Sequence, residues 1–511
     1  MTPSSGSSSS NPAQGKNLKR KPRHGDRFIV RVEGLGKRGL GRAILQHETG
    51  RYELGLRHSL PGTSVEAEVI KRRGGFIEAR IIQQLEPSAD EVPMRCRHAH
   101  SCGGCSFQNL KYERQLQELH AMIATALTAE GLSVAARAED AGQGRPLVEA
   151  VVGCETPWHY RNKMDFTFGN RRYVEEGEPE GVEAGFGLGL HAPGRYEKVL
   201  DVHECHLAFE GATEILNDAR RLAREMDISP WDNRNHTGIL RHIVMRKGVA
   251  TGEILLYLVT SEDAPECILD YARALVEAHP EITTLVQGVN TKAASIAVGE
   301  HDIVLHGPGL IHERLGGLEF EISALSFFQT NTGQAERLLD LVRTETAPSG
   351  DEVLYDLYCG AGTLGLTMAS DVRELIGFEI VPEAVADANR NALRNGVTNA
   401  RFLEGDVLAQ LRAPENVDLP KADVLLVDPP RAGLHPKMIP TLVSLGARRI
   451  VYVSCNIHAA ASDVAALALA GYVLRRVQAV DLFPHTPHVE CVLTLELDPE
   501  NSLFAPRGDV R

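Results

Sequence analysis

The chain has no apolar stretch long enough to cross a membrane, which excludes a helical membrane protein. Between Met1 and Gly15 it has neither a charged side chain nor a hydrophobic segment, so no secretory signal peptide is expected there. That Ser-rich stretch reads as disordered. Internal repeats are absent. Cysteines are few, nine in 511 residues, and their number is odd, which argues against the disulfide framework of a secreted domain. A cytoplasmic location is the expectation. Hydrophobic residues make up 43% of the chain, ample for the cores of two or three domains.

An excess of positive charge is also missing. The net charge is −14, which at first opposes nucleic-acid binding. Its distribution reverses that reading. Lys16 to Arg80 holds sixteen Lys and Arg against seven Asp and Glu, a local balance of +9 that leaves −23 for the remainder. A basic front on an acidic body marks a nucleic-acid contact region. Within it, alternating runs such as Arg27-Phe28-Ile29-Val30-Arg31-Val32, with Gly34, Gly36, Gly39 and Gly41, predict a small barrel of short strands.

Chemistry is concentrated in the last third. Ile450-Val451-Tyr452-Val453 reads as a buried strand, and Ser454-Cys455-Asn456 follows where the strand should end. In open α/β sheets, ligands bind at the carboxyl ends of strands. Cys455 is therefore a candidate nucleophile, although a buried cysteine is more often an inert small hydrophobe. Upstream, Leu354-Tyr355-Asp356-Leu357 runs into Tyr358-Cys359-Gly360-Ala361-Gly362-Thr363, a strand entering a glycine turn. Leu375 to Glu379 reads as a second strand ending in an acid able to accept from ribose hydroxyls. A helix should follow, with Pro382 near its start and Gly396 just past its end. Further strand–loop units carry Asp406 and Asp428-Pro429-Pro430-Arg431. Together they predict a doubly wound, Rossmann-like α/β sheet that binds a nucleoside. With Gly365 the turn completes G-x-G-x-x-G, so a nicotinamide or flavin enzyme remains open at this level.

Five segments in order resemble the RNA uracil-C5 methyltransferases: Ser326-Phe327-Phe328-Gln329-Thr330-Asn331, Asp356 to Gly362, Asp428 to Arg431, Ser454 to Asn456, and Asp481 to Glu490 with its Phe483-Pro484-His485-Thr486-Pro487-His488-Val489 interior. A dinucleotide enzyme accounts for only the second of these. The resemblance implies a class I methyltransferase using S-adenosylmethionine. It makes Cys455 the nucleophile that adds to C6 of uracil, and Glu490 the base that removes the C5 proton. It places Gln329, Tyr358, Thr363, Glu379, Asp406 and Asp428 around the cofactor, although relatives often carry Asn at the position of Thr363. Phe327 is the aromatic expected to stack on the extruded base, core packing being its other reading.

Cys96-x5-Cys102-Gly103-Gly104-Cys105 with the distant Cys205 forms a second constellation. Four thiolates suit a 4Fe–4S cluster. They suit structural zinc equally, with His98, His100, His203 and His206 nearby. A subset of the same family carries this cysteine pattern before its catalytic domain, and the resemblance therefore favours 4Fe–4S. Tyr160 to Met164 fits the family's central region, whereas Gly187-Leu188-Gly189-Leu190-His191 departs from the Gly-Phe-His pattern expected there. The basic barrel resembles a TRAM domain, an OB-like RNA-binding module.

The expected organisation is a basic tail (1–24), the barrel (25–88), a central α+β region carrying the cluster (89–325) and the methyltransferase domain (326–511). The central region should contain a helix over Leu110 to Glu130. RNA is the expected partner. Barrel and cluster together resemble enzymes acting on large-subunit (23S) ribosomal RNA, with transfer RNA as the alternative and a monomer favoured. Three rivals come from other directions. A cytosine-C5 RNA methyltransferase usually has a second cysteine beside the strand-four proline, and Asp428-Pro429-Pro430-Arg431 has none. A decayed, purely RNA-binding protein need not keep Cys455, Asp428 and Glu490. A radical iron–sulfur enzyme would want Cys-x3-Cys-x2-Cys.

Overall fold

A computed structural model describes residues 20–132, 147–175, 177–413, 416 and 418–498. The expected disordered stretch from Met1 to Gly15 lies outside the described residues. The chain forms two compact units. One runs to Val92 and includes Asn109–Lys111, and the other holds Pro93–Gln108 and everything from Tyr112 onward.

The first unit is a closed five-stranded barrel of Arg27–Leu35, Gly41–His47, Gly50–Leu56, Ser64–Arg73 and Phe76–Glu86. Alternation builds it: Val30 and Val32 point inward with Ala43, Leu54, Val65, Ala67, Val69 and Ile77, while Ile29 and Arg31 face out. Closure comes from an antiparallel pair between the first and fourth strands and a parallel pair between the third and fifth. Closing the sheet leaves no unpaired edge.

The second unit contains an eight-stranded sheet. Its spatial order is His301–His306, Ile282–Val289, Ile254–Thr260, Leu240–Lys247, Lys163–Gly169, Gly187–Ala192, Arg195–Asp201 and Arg172–Tyr173. Strand Ile254–Thr260 is buried along its whole length. Ile254, Leu256 and Leu258 pack towards the helices Ala212–Glu225 and Glu266–Ala278. Leu255, Tyr257 and Val259 face the other way, into a core shared with Leu338, Leu354 and Leu426 of the C-terminal sheet. A strand covered on both faces reads as a continuous apolar run. The unit also has the helix Tyr112–Ala129, close to the expected span.

The C-terminal sheet has seven strands: β1 (Val353–Leu357), β2 (Glu374–Glu379), β3 (Ala400–Glu404), β4 (Val424–Val427), β5 (Arg449–Ser454), β6 (Tyr472–Val480) and β7 (Glu490–Leu497). Their order is β3-β2-β1-β4-β5-β7-β6. β1 to β5 are parallel, and β7 lies antiparallel between β5 and β6. The order reverses between β1 and β4, so a crevice opens past their carboxyl ends. Because β7 runs the other way, its first residue, Glu490, comes to that same edge. The helix between β2 and β3 is Pro382–Arg394, with Pro382 at its start and Gly396 left-handed (φ 67) just beyond it.

Candidate active site

The glycine turn follows β1. Tyr358 takes a left-handed conformation (φ 66), as do Gly360 (φ 55) and Gly362 (φ 79). The N–H groups of Tyr358 and Cys359 both donate to the Phe378 carbonyl, at 2.9 and 3.1 Å. The Glu379 carboxylate accepts the N–H of Gly360 (3.0 Å), Ile380 (2.8 Å) and Val381 (2.9 Å). Three backbone donors fill most of a carboxylate's roughly four acceptor positions. Phe327, Gln329, Tyr358, Thr363 and Asp428 line one cleft beside this turn, with Asp356 at its base. Burial pushes Asp356 up to about 7, helped by the facing Asp428, and burial pushes Asp428 to about 7 as well. Two carboxyls that resist ionisation beside one another favour a cationic ligand.

Asp406 plays a different part. It lies just after β3 and accepts the Ala409 N–H at 2.9 Å, capping the short helix Val407–Gln410. Its charge faces the Tyr358 phenol. It is not among the residues lining the cleft.

Cys455 and Glu490 come together across two strands. Ser454 of β5 pairs with Cys491 of β7, which makes Cys455 and Glu490 the next residues outward at the same edge. Glu490 is buried, and burial, then the Asp428 charge, hold its carboxyl well above the usual range, with Arg431 opposing. Burial and the Glu490 charge push the Cys455 thiol up, while the nearby Arg431 guanidinium pulls it down. Asn456 caps the helix Ile457–Leu469 and donates to the Arg431 carbonyl at 2.8 Å. Arg431 received no role from the sequence. Its place directly after Asp428-Pro429-Pro430 was the available signal.

The Ser326–Asn331 segment faces the same cleft. Phe328 is buried against Phe320, whereas Phe327 is 73% exposed at the cleft. That exposure removes the core-packing reading of Phe327. Buried Asn162 donates to the carbonyls of Thr330 (backbone, 2.8 Å) and Gln329 (side chain, 2.9 Å). Asn331 caps Thr332–Thr346 and donates to the Leu482 carbonyl at 3.2 Å.

The four singled-out cysteines converge elsewhere in this unit. Cys96, Cys102, Cys105 and Cys205 line one cavity of ≈ 580 Å³ with Trp158 and Arg161. Burial raises the Cys96 thiol to about 12, and raises Cys102 and Cys105 too. The two cysteine-bearing loops are laced together. The Arg97 N–H donates to Glu204 at 2.6 Å, and the His203 N–H donates to His98 Nε2 at 3.1 Å. His98 Nδ1 meets Glu175 at 2.9 Å, and His203 lies between Arg220 and Asp201. Both rings thus have other partners. No group of three or more His, Cys, Asp and Glu side chains among the described residues is arranged to hold a metal ion. No helix among them is long and apolar enough to cross a membrane.

Comparison with known proteins bears directly on this arrangement. A family model described as tRNA (uracil-5-)-methyltransferase matches residues 316–498. An RNA methyltransferase of Chlorobaculum tepidum is 38% identical, over 85% of this chain and 89% of that protein. One from Halalkalibacterium halodurans is 34% identical, over 92% and 96%. Among solved structures, the tRNA (uracil-54, C5)-methyltransferase of Pyrococcus abyssi, in complex with S-adenosyl-L-homocysteine, aligns with a TM-score of 0.68 at 26% identity, covering 92% of this chain and all of that one. The chain belongs to the RNA uracil-C5 methyltransferase family. In this methyltransferase the matched region contains Cys455, Glu490 and every cleft residue named above, and Cys96, Cys102, Cys105 and Cys205 lie upstream of it.

Proposed function

We propose that this methyltransferase transfers the methyl group of S-adenosylmethionine to C5 of an RNA uridine through a thioether between Cys455 and C6. The observation that carries the reading is the meeting of Cys455 and Glu490 at the strand edge beside the Asp428 cleft. C5 of uracil is too weak a nucleophile to take a methyl unaided. Addition of the Cys455 thiolate to C6 moves negative charge onto C5 and O4. C5 then attacks the methyl carbon, and the sulfonium leaves as a neutral thioether. Glu490 takes the C5 proton, the C5=C6 bond re-forms and the thiolate departs. Asp356 and Asp428 offer negative charge to the cationic cofactor, with Gln329, Tyr358, Thr363 and Glu379 around it and Asp406 holding the adjoining turn. The reaction requires the target base outside its stack. Exposed Phe327 suits a stacking platform for it.

Two further parts belong to this proposal. Cys96, Cys102, Cys105 and Cys205, although not arranged to hold a single metal ion, would hold a 4Fe–4S cluster, which would cross-link two loops of the central region. The convergence of the four cysteines on one cavity of ≈ 580 Å³ supports a shared metal group, and the family resemblance favours the cluster over zinc. Anaerobically purified protein should be brown with about four irons per chain. The basic barrel supplies RNA affinity through phosphate contacts.

The substrate reading is large-subunit ribosomal RNA, by resemblance of the barrel-and-cysteine organisation. The likeness to the Pyrococcus abyssi tRNA enzyme across 92% of the chain favours transfer RNA as the second reading. Nucleoside mass spectrometry of both RNA classes from a deletion strain separates them. The reaction itself is tested with 5-fluorouridine RNA, because fluorine cannot leave C5 as a proton. Wild-type protein should form a methylated covalent complex that survives denaturing electrophoresis, and Cys455→Ala should form none. Undiminished methylation by Cys455→Ala ends the mechanism.

A further inference from the structure

The residues Asp481–Val489 join β6 to β7 and deliver Glu490. The ends of this connection are tied, since Val480 pairs with Glu490. Its middle is tied too, to the loop that carries the cysteines. The His485 carbonyl accepts the N–H of Ser106 at 2.8 Å and of Phe107 at 3.4 Å. Ser106 directly follows Cys105. The His485 N–H donates to Gln115 Oε1 at 3.1 Å, and Gln115 Nε2 donates to the Phe107 carbonyl at 3.3 Å and to His485 Nδ1 at 3.2 Å. The His485 ring stacks on Trp158 with 3.9 Å between centroids, and Trp158 is itself a wall of the cysteine cavity. The Tyr160 hydroxyl donates to the Pro484 carbonyl at 3.2 Å.

His485 also has a left-handed backbone (φ 69), unfavourable for a residue with a Cβ. Such a conformation persists only where its surroundings over-determine it. Here Ser106, Phe107, Gln115 and Trp158 do so, and three of the four sit on or line the cysteine site or its loop. Nothing in the chemistry of methyl transfer calls for these contacts, because none of the four residues lines the cleft.

We infer that Gln115 and His485 are positioning residues for Glu490, and that through them the order of the cysteine loop sets the rate of the last step of the reaction. This rests on the proposed role of Glu490. In that step the carboxylate takes the C5 proton, the C–H electron pair becomes the C5=C6 bond, and the C6–S pair returns to Cys455. Thiolate addition and methyl transfer do not need the carboxylate. Loosening the Phe483–Val489 connection should therefore slow release selectively.

The test uses full-length protein and ordinary uridine RNA. Gln115→Leu keeps the bulk and removes the three hydrogen bonds that join Gln115 to Phe107 and His485. Release should slow by about ten- to a hundredfold, the scale of a 1 Å misplacement at a reacting group. The methylated covalent adduct should then accumulate on ordinary uridine. Methyl transfer in a single turnover and affinity for S-adenosylmethionine should stay within about twofold, well under the factor of ten that corresponds to about 1.4 kcal/mol. The amides of Phe483–Val489 should exchange with deuterium faster than in wild type. Trp158→Phe, which keeps a smaller stack, provides a second variant with the same expected direction should the first fold poorly. A parallel fall in cofactor affinity, methyl transfer and release, without adduct, would mark a general structural role and overturn the inference. So would unchanged release with unchanged exchange. A wild-type enzyme that forms no adduct with 5-fluorouridine RNA would instead overturn the reaction proposed above, so the two failures are distinguishable.

Discussion

The Asp356 carboxylate accepts the Gly365 N–H at 3.0 Å and so ties the first turn of the helix after the glycine turn back to strand β1. Asp356 is fully buried. The closeness leaves no room at position 365, where a Cβ would stand 2.6 Å from Asp356 Oδ2 and 2.9 Å from Leu375 Cδ1. The third glycine of G-x-G-x-x-G is thus needed for close packing of helix on strand.

Gly365→Ala should consequently shift the turn. Overpacking of this kind typically costs about 1–3 kcal/mol. The melting temperature should fall, and calorimetry should show weaker binding of S-adenosylmethionine than in wild type. Unchanged affinity with a lowered melting temperature would confine the role of Gly365 to stability.

Activity should rise with pH through neutrality. In the proposed reaction Cys455 acts as thiolate and Glu490 as carboxylate, and burial raises both groups from their ordinary values. Acidification therefore removes the working form of each. Arg431 favours the thiolate, so Arg431→Leu should move the acidic limb of the single-turnover rate to higher pH. A limb that moves to lower pH would contradict the stabilisation of the thiolate by the guanidinium.

Phe327 and Phe328 should behave as opposites. Phe327→Ala removes an exposed ring and should leave the melting temperature nearly unchanged. It should lower methylation efficiency about ten- to a hundredfold if stacking is worth roughly 1–3 kcal/mol. Phe328→Ala opens the core and should cost about 3–5 kcal/mol of stability. Melting curves and initial rates on the same RNA separate the two.

Asp481 should give stability a pH dependence. It is buried, accepts the Tyr112 hydroxyl at 2.7 Å, and burial raises it to about 7. Its unfolded value is about 3.9. The folded state therefore binds the extra proton between these values, and this contribution is complete below about pH 4 and lost as pH rises through about 7. Asp481→Asn keeps a neutral side chain at every pH. Relative to wild type, it should gain melting temperature on going from pH 5 to pH 8.

Residue order alone was enough for the parts of this protein that depend on neighbours along the chain. Largely apolar runs ending at Gly360, Asp428 or Cys455 read as strands because burial on both faces selects such residues, and these are β1, β4 and β5. Pro382 and Gly396 marked the ends of one helix because their backbone preferences are local. The motifs carried the family for the same reason. What only the tertiary structure decided is what meets across the sheet and between loops. Asp406 reads in sequence like Glu379, but its carboxylate caps a helix outside the cleft lining. The adjacency of Cys455 and Glu490 follows from the antiparallel register of β5 and β7, which hydrogen bonds between distant segments determine. The grip of Gln115, Ser106 and Trp158 on His485 has no periodicity or motif that announces it. It joins positions about 370 residues apart, as the Gln115 bonds show, and only chain folding brings such groups within reach.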